Sequence, residues 1–212
     1  MNLDAISNML EMQHRMNTRV HEQWIDQGFE WYRAVWIECG ELMDHVGYKW
    51  WKKQVPDMEQ VRLEVVDIWH FGMSALFKPD STVEALAQEI FSAWVGQEAQ
   101  DNDAEMDVGR VHAATESLAQ DALASKSFSV PLFAELMRAC SLTPEQLYRH
   151  YVGKNVLNFF RQDHGYQEGT YVKLWQGRED NEHLSELLES LDDTDPGFPD
   201  AVYQALLARY PE

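Results

Sequence analysis

Two short runs in this chain set carboxylates at helical spacing. Glu38-Cys39-Gly40-Glu41 is an E-x-x-E, and Glu64-Val65-Val66-Asp67 is an E-x-x-D. Residues three apart share a helix face, so each run places two acids side by side. Like charges at that spacing repel unless a cation lies between them. Both runs sit in apolar stretches, IECGELM and VRLEVVDIW, so some of these acids must face protein rather than water. Two such helices packed antiparallel would present Glu38, Glu41, Glu64 and Asp67 to one another. Four hard oxygen donors suit Mg²⁺ or Mn²⁺, not zinc. Mg²⁺ held by carboxylates keeps open positions for phosphate oxygens and water, which implies a phosphate-bearing substrate. A lone E-x-x-E is common on solvated helices; the argument rests on two such runs in successive apolar helices.

A second constellation lies in YRHYVGKNVLNFFRQDHGYQEGTYVK, residues 148–173. Tyr151, Lys154, Asn158 and Arg161 follow one another at steps of three, four and three, so they share one helix face. Val152, Val156 and Phe159 lie on another. Ammonium, amide and guanidinium groups on one face suit phosphate oxygens. The alternative is an exposed polar stripe.

The elements that must hold these groups read as helices almost throughout. Leu3, Ile6, Leu10 and Met16 trace one face, interrupted by the polar Gln13. Residues 29–46 continue helically, and Pro56-Asp57 opens a helix over 57–77. The chain is more polar from 80 to 125, with helix starts at Ser81-Thr82 and near Asp101. Pro131 and Pro144 open two more helices. Thr143-Pro144-Glu145-Gln146 combines an N-cap, a first-turn proline and a capping box, for a helix running to about Gln162 and stopping near Gly165. An ordered loop at 165–178 precedes helices at 179–191 and 198–209. Alternating strand patterns are nearly absent, so the fold class is all-α, with residues 1–212 read as a single domain.

Composition narrows the function classes. The chain has 212 residues, 45% of them hydrophobic, with eight Trp, enough for a real core. Acids outnumber bases 36 to 17, a formal charge of −19. Such a protein has no surplus of cations for a nucleic-acid polymer or an anionic membrane. Two cysteines, Cys39 and Cys140, make no disulfide framework and no zinc motif. The N-terminal run lacks a signal peptide's apolar centre, and no run of about 18 uncharged apolar residues spans a membrane. A cytoplasmic, reducing location is expected. The cations cluster: residues 148–178 hold five bases against two acids, and Lys49, Lys52 and Lys53 form a second basic spot.

Together these residues resemble the dimeric, all-α dUTP diphosphatases of the all-α NTP pyrophosphatase superfamily, which includes the MazG-like enzymes. The matching stretches are Gln13-x-x-x-Asn17, IECGELMDHVGYKWWKK at 37–53, LEVVDIWHF at 63–71 and GKNVLNFFRQDHGYQEGTYVKLWQGREDN at 153–181. The carboxylate pair is a superfamily signal; the KWWK and KNxLNxFRQDxGY runs are specific to the dUTP-hydrolysing branch. Residues 78–147 carry no matching motif and read as a variable helical region. The resemblance implies a helical bundle, a homodimer, and Mg²⁺-dependent hydrolysis of dUTP, and also of dUDP, with dUTP giving dUMP and pyrophosphate. It implies metal ligation by Glu38, Glu41, Glu64 and Asp67, with Glu41 orienting or deprotonating the attacking water. It assigns Lys154, Asn158, Arg161 and Lys173 to a phosphate grip, with Tyr166 nearby and Lys53 assisting. Gln13 and Asn17 are implied as readers of the uracil edge, and Trp50 or Trp51 as the stacking ring. His70 falls in a matching run and reads as a satisfied, partly buried histidine; Cys39 reads as a small packing residue.

Three other readings compete. A pyrophosphohydrolase of other specificity would share the carboxylates but not the Trp and KNxLNxFRQD runs. A carboxylate-bridged di-iron bundle wants Glu-x-x-His on two helices, and the relevant helices offer only Asp67-x-x-His70. An acidic helical interaction protein fits the charge, but does not explain acids set within apolar helices.

Overall fold

The computed structural model describes residues 1–95, 107–193, 195 and 197–211. Among them are nine helices: α1 (Leu3–Val20), α2 (Trp31–Val46), α3 (Met58–Leu76), α4 (Val83–Val95), α5 (Val108–Ser125), α6 (Val130–Ala139), α7 (Pro144–Asp163), α8 (Asp180–Ser190) and α9 (Phe198–Arg209). The fold is all-α. The helix start expected near Asp101 lies outside the described residues. The chain divides into two compact units, Met1–Leu147 and Tyr148–Glu212.

Local chemistry sets the helix starts. The Asp57 side chain accepts from Gln60 N at 3.2 Å and opens α3. Thr82 and Ser129 cap α4 and α6 in the same way. At α7, Gln146 N donates to Thr143 Oγ1 at 3.2 Å while Thr143 N donates to Gln146 Oε1 at 2.9 Å, a closed capping box.

In the first unit, α2 packs most extensively on α3. The buried stripe of α2 is Val35, Cys39, Leu42 and Val46, spaced at four, three and four. The α3 helix is buried on nearly all sides, from Val61 to Ser74. Trp69 stacks on Phe133 at 4.8 Å, with Phe128 and Trp94 around them. This aromatic centre anchors the helix that carries Glu64.

The second unit holds most of α7, then α8 and α9. The segment expected as a loop at 165–178 contains a short hairpin, in which β1 (Leu174–Trp175) pairs antiparallel with β2 (Arg178–Glu179). Gln176 and Gly177 both take positive φ, 54° and 83°. Two left-handed central residues make the tight turn that matches strand twist. A two-residue strand is too short to show alternation, which is why the pattern hid it.

Candidate metal and nucleotide site

The acids of α2 flank its buried stripe, and Glu64 of α3 comes up against them. Glu38, Glu41 and Glu64 each offer an oxygen within 4.8 Å of the other two. Glu64 is buried, Glu38 half-buried and Glu41 exposed, so the cluster has an inner wall and an open mouth. Asp67, three residues further along α3, is half-buried and is not in this close group. His45 Nε2, half-buried, lies 3.5 Å from Glu64 Oε1. Cys39 is buried between the two glutamates in sequence; burial, then the Glu38 charge, pushes its thiol up to about 12. Three carboxylates this close repel one another, and hard oxygen donors with an open side are what a hexacoordinate divalent cation takes. The residues present therefore fit a divalent metal.

The polar interruption on α1 has a structural explanation. Gln13 and Asn17 are buried, 4% and 7% exposed, and are bonded to each other and to α3. Gln13 Nε2 donates to Asn17 Oδ1 at 3.0 Å and to Ser74 Oγ at 3.1 Å. Asn17 Nδ2 donates to Ser74 Oγ at 2.9 Å, and that hydroxyl donates to the His70 carbonyl at 2.9 Å. Gln13 Oε1 sits 2.7 Å from His70 Nδ1, so this nitrogen carries the proton. His70 is thus a buried histidine held through Nδ1, not a fully satisfied one, since its Nε2 is also buried and makes no hydrogen bond among the described residues. Sequence reasoning gave Ser74 no role; a lone serine late in an apolar helix carries no signal until its partners on α1 are known.

Trp50 and Trp51 are not core residues. They are 90% and 61% exposed and meet edge to face at 5.6 Å. They lie in the segment joining α2 to α3, where Lys53 is also exposed.

In the second unit the cationic face of α7 is buried at Tyr151 and Lys154 and half-buried at Asn158 and Arg161. Tyr151 is fully buried and Lys154 is 3% exposed, so the exposed-stripe alternative fails. Lys154 Nζ donates to Asn181 Oδ1 at 3.0 Å. Arg161 forks onto Asp180: Nε to Oδ2 at 2.8 Å and Nη2 to Oδ1 at 2.9 Å. Its Nη1 reaches Asn158 Oδ1 at 3.3 Å. Tyr171 donates to the same Asp180 at 2.8 Å. Burial works to raise the Asp180 carboxyl, but the Arg161 fork and the Tyr171 hydroxyl outweigh it and hold the carboxyl below its usual range. Lys154, Asn158 and Arg161 are therefore brought together through Asp180 and Asn181. Lys173 pairs instead with Glu179 at 3.0 Å. Tyr166 is half-exposed, its ring 5.9 Å from the Arg161 guanidinium carbon. Asp180 and Asn181 were missed as organisers; a buried basic group implies an acid somewhere, but the sequence does not say which one.

No helix among the described residues is long and apolar enough to cross a membrane. A model of the dUTPase family matches residues 5–166. No individual curated protein matches the chain.

Proposed function

The chain belongs to the dUTPase family, enzymes that hydrolyse dUTP, and on that premise we propose that it converts dUTP to dUMP and pyrophosphate with Mg²⁺ held by Glu38, Glu41 and Glu64, Asp67 completing the set. Mn²⁺ can replace Mg²⁺, and dUDP is a second substrate. The observation that carries the reading is the close grouping of the three glutamates. A divalent cation bound there supplies Lewis-acid stabilisation of phosphoryl oxygens. Glu41, on the open side of the group, accepts a proton from the attacking water. Glu64, buried and beside His45, fixes the inner edge.

Gln13 and Asn17 read the uracil edge. Their amides are oriented by Ser74 and His70; Gln13 gives both its N–H groups to Asn17 and Ser74 and so fixes the Asn17 amide, whose second N–H is the donor offered to the base. Trp50 or Trp51 stacks on the base; their exposure supports this over a packing role. Lys154, Asn158, Arg161, Lys173 and Tyr166 are assigned to triphosphate oxygens on the resemblance, with Lys53 assisting. The Asp180 fork supports a positioned guanidinium at Arg161 rather than a mobile one. Residues 1–212 act as one functional domain, in a cytoplasmic homodimer. Pyrophosphate release from dUTP, with Mg²⁺ and then with excess EDTA, tests the reading; turnover surviving EDTA would refute the metal assignment.

A further inference from the structure

The second unit contains a cavity of about 330 Å³ walled by Gln176, Arg178, His183, Glu186 and Arg209. These residues lie beyond the matched residues 5–166; Gln176 and Arg178 fall at the end of the 153–181 stretch that resembles the family, where neither has an assigned role, and His183, Glu186 and Arg209 lie beyond it. Arg178 Nη1 donates to Glu186 Oε1 at 2.6 Å, and Arg209 Nη1 to Glu186 Oε2 at 2.8 Å. One carboxylate bridges two guanidiniums, and two cations with one anion leave a single positive charge. The Arg178 and Arg209 hydrogen bonds bring the Glu186 carboxyl down to about 2, so the triad stays ionised at neutral pH.

The wall behind them is built, not solvated. His183 is 5% exposed and stacks on Trp175, ring centroids 5.3 Å apart. Its Nε2 lies 2.9 Å from the Trp175 carbonyl oxygen. A carbonyl only accepts, so Nε2 carries the ring proton and Nδ1 of the neutral ring presents a lone pair. That lone pair faces Arg178 Nη2 and Arg209 Nη1, each at 3.5 Å. Arg209 Nη1 also reaches the His183 carbonyl at 3.4 Å. Residues 179–200 hold nine acids and no Lys or Arg, yet the arginines from either side of that segment converge here.

We propose that this cavity binds a small phosphate monoester between Arg178 and Arg209. Each guanidinium has five N–H donors in a planar fork; Glu186 takes Nη1 of each, His183 faces Arg178 Nη2 and Arg209 Nη1, and the ligand is met chiefly by Nε and Nη2 of Arg209, with Arg178 adding its charge. Phosphate oxygens match such forks. The volume is near the lower end of small-molecule sites, about 300–1,000 Å³, and exceeds a bare phosphate, which leaves room for an organic remainder beside the Gln176 amide. Glu186 competes with the ligand for the same cations and so sets its affinity.

The test is calorimetric titration of the full chain, in EDTA at constant chloride, with glycerol 3-phosphate and with inorganic phosphate as probes. Saturable binding is expected, tighter for the monoester. Arg209→Gln should weaken it at least about tenfold, the scale of a lost charge-assisted hydrogen bond. Glu186→Gln should tighten it, because the competing charge is gone while the shape is kept. If Arg209→Gln melts early, Glu186→Gln decides alone. Equal binding of the two probes would overturn the monoester in favour of free phosphate. Unchanged binding in Glu186→Gln and in a folded Arg209→Gln would overturn the site.

Discussion

Glu38, Glu41 and Glu64 bring three carboxylates within 4.8 Å of one another, an arrangement that costs stability in the absence of a cation. Glu41→Gln keeps the shape and removes one charge. Turnover of dUTP should fall about 10²-fold or more, while the melting temperature of the metal-free protein holds or rises. Steady-state kinetics and a thermal melt in EDTA check both halves. Arg161 and Asp180 behave in the opposite way, because a buried carboxylate is matched there by a half-buried guanidinium in good geometry. Asp180→Asn leaves a largely desolvated guanidinium without its counter-charge and should cost about 3 kcal/mol, the lower end for breaking a buried pair, in a denaturant titration. The sign for pH follows from the lowered Asp180 carboxyl. The pair's stabilisation is complete above the unfolded value of about 3.9 and is lost as pH falls through the folded one. Wild-type stability should therefore drop more steeply than that of Asp180→Asn on acidification below that value. The carboxylate spacing was legible from the sequence because three residues on a helix fix a shared face. Ser74 and Asp180 were not, because their partners lie 61 and 19 residues away and only the packed chain brings them together.

At the scale of elements, the signals that were readable were the ones with a closed local geometry. The Asp57 cap of α3 and the Thr143–Gln146 box of α7 need only four consecutive residues, and both form as the sequence indicates. The 198–209 helix has the same bounds as α9. The burial of α7 was not readable. Its polar residues lie at a spacing that suits an exposed stripe, and only the acid and amide at 180 and 181 turn that stripe into an interior face. A close approach in the first unit gives a sharp test of packing. A Cβ on Gly72 of α3 would stand 2.5 Å from the Phe128 ring, which is itself held among Trp69 and Phe133. Gly72→Ala should destabilise by about 1–3 kcal/mol despite alanine's better helix propensity, because the ring has little room to give. Equilibrium urea unfolding measures it; a stabilised variant would mean the ring shifts freely.

For the whole molecule, a charge of −19 and a family match over residues 5–166 point to a small nucleotide rather than a polymer as substrate. Divalent cation binding should raise the wild-type melting temperature, and Glu64→Gln should lose most of that gain. Base selectivity is the finest part of the account. Uracil and cytosine differ at the ring edge in donor and acceptor, and a site of held amides that matches one leaves unpaired polar groups against the other. Rejection by that route reaches about 10⁴-fold. Thymine differs by a methyl, which only a steric wall excludes. The most direct measurement is pyrophosphate release from dUTP, dCTP and dTTP by the unmodified protein with Mg²⁺, repeated with Gln13→Ala. The account predicts strong preference for dUTP over dCTP and a clear preference over dTTP, with Gln13→Ala eroding the first preference more than it weakens metal binding. Comparable hydrolysis of all three by the unmodified protein would contradict it.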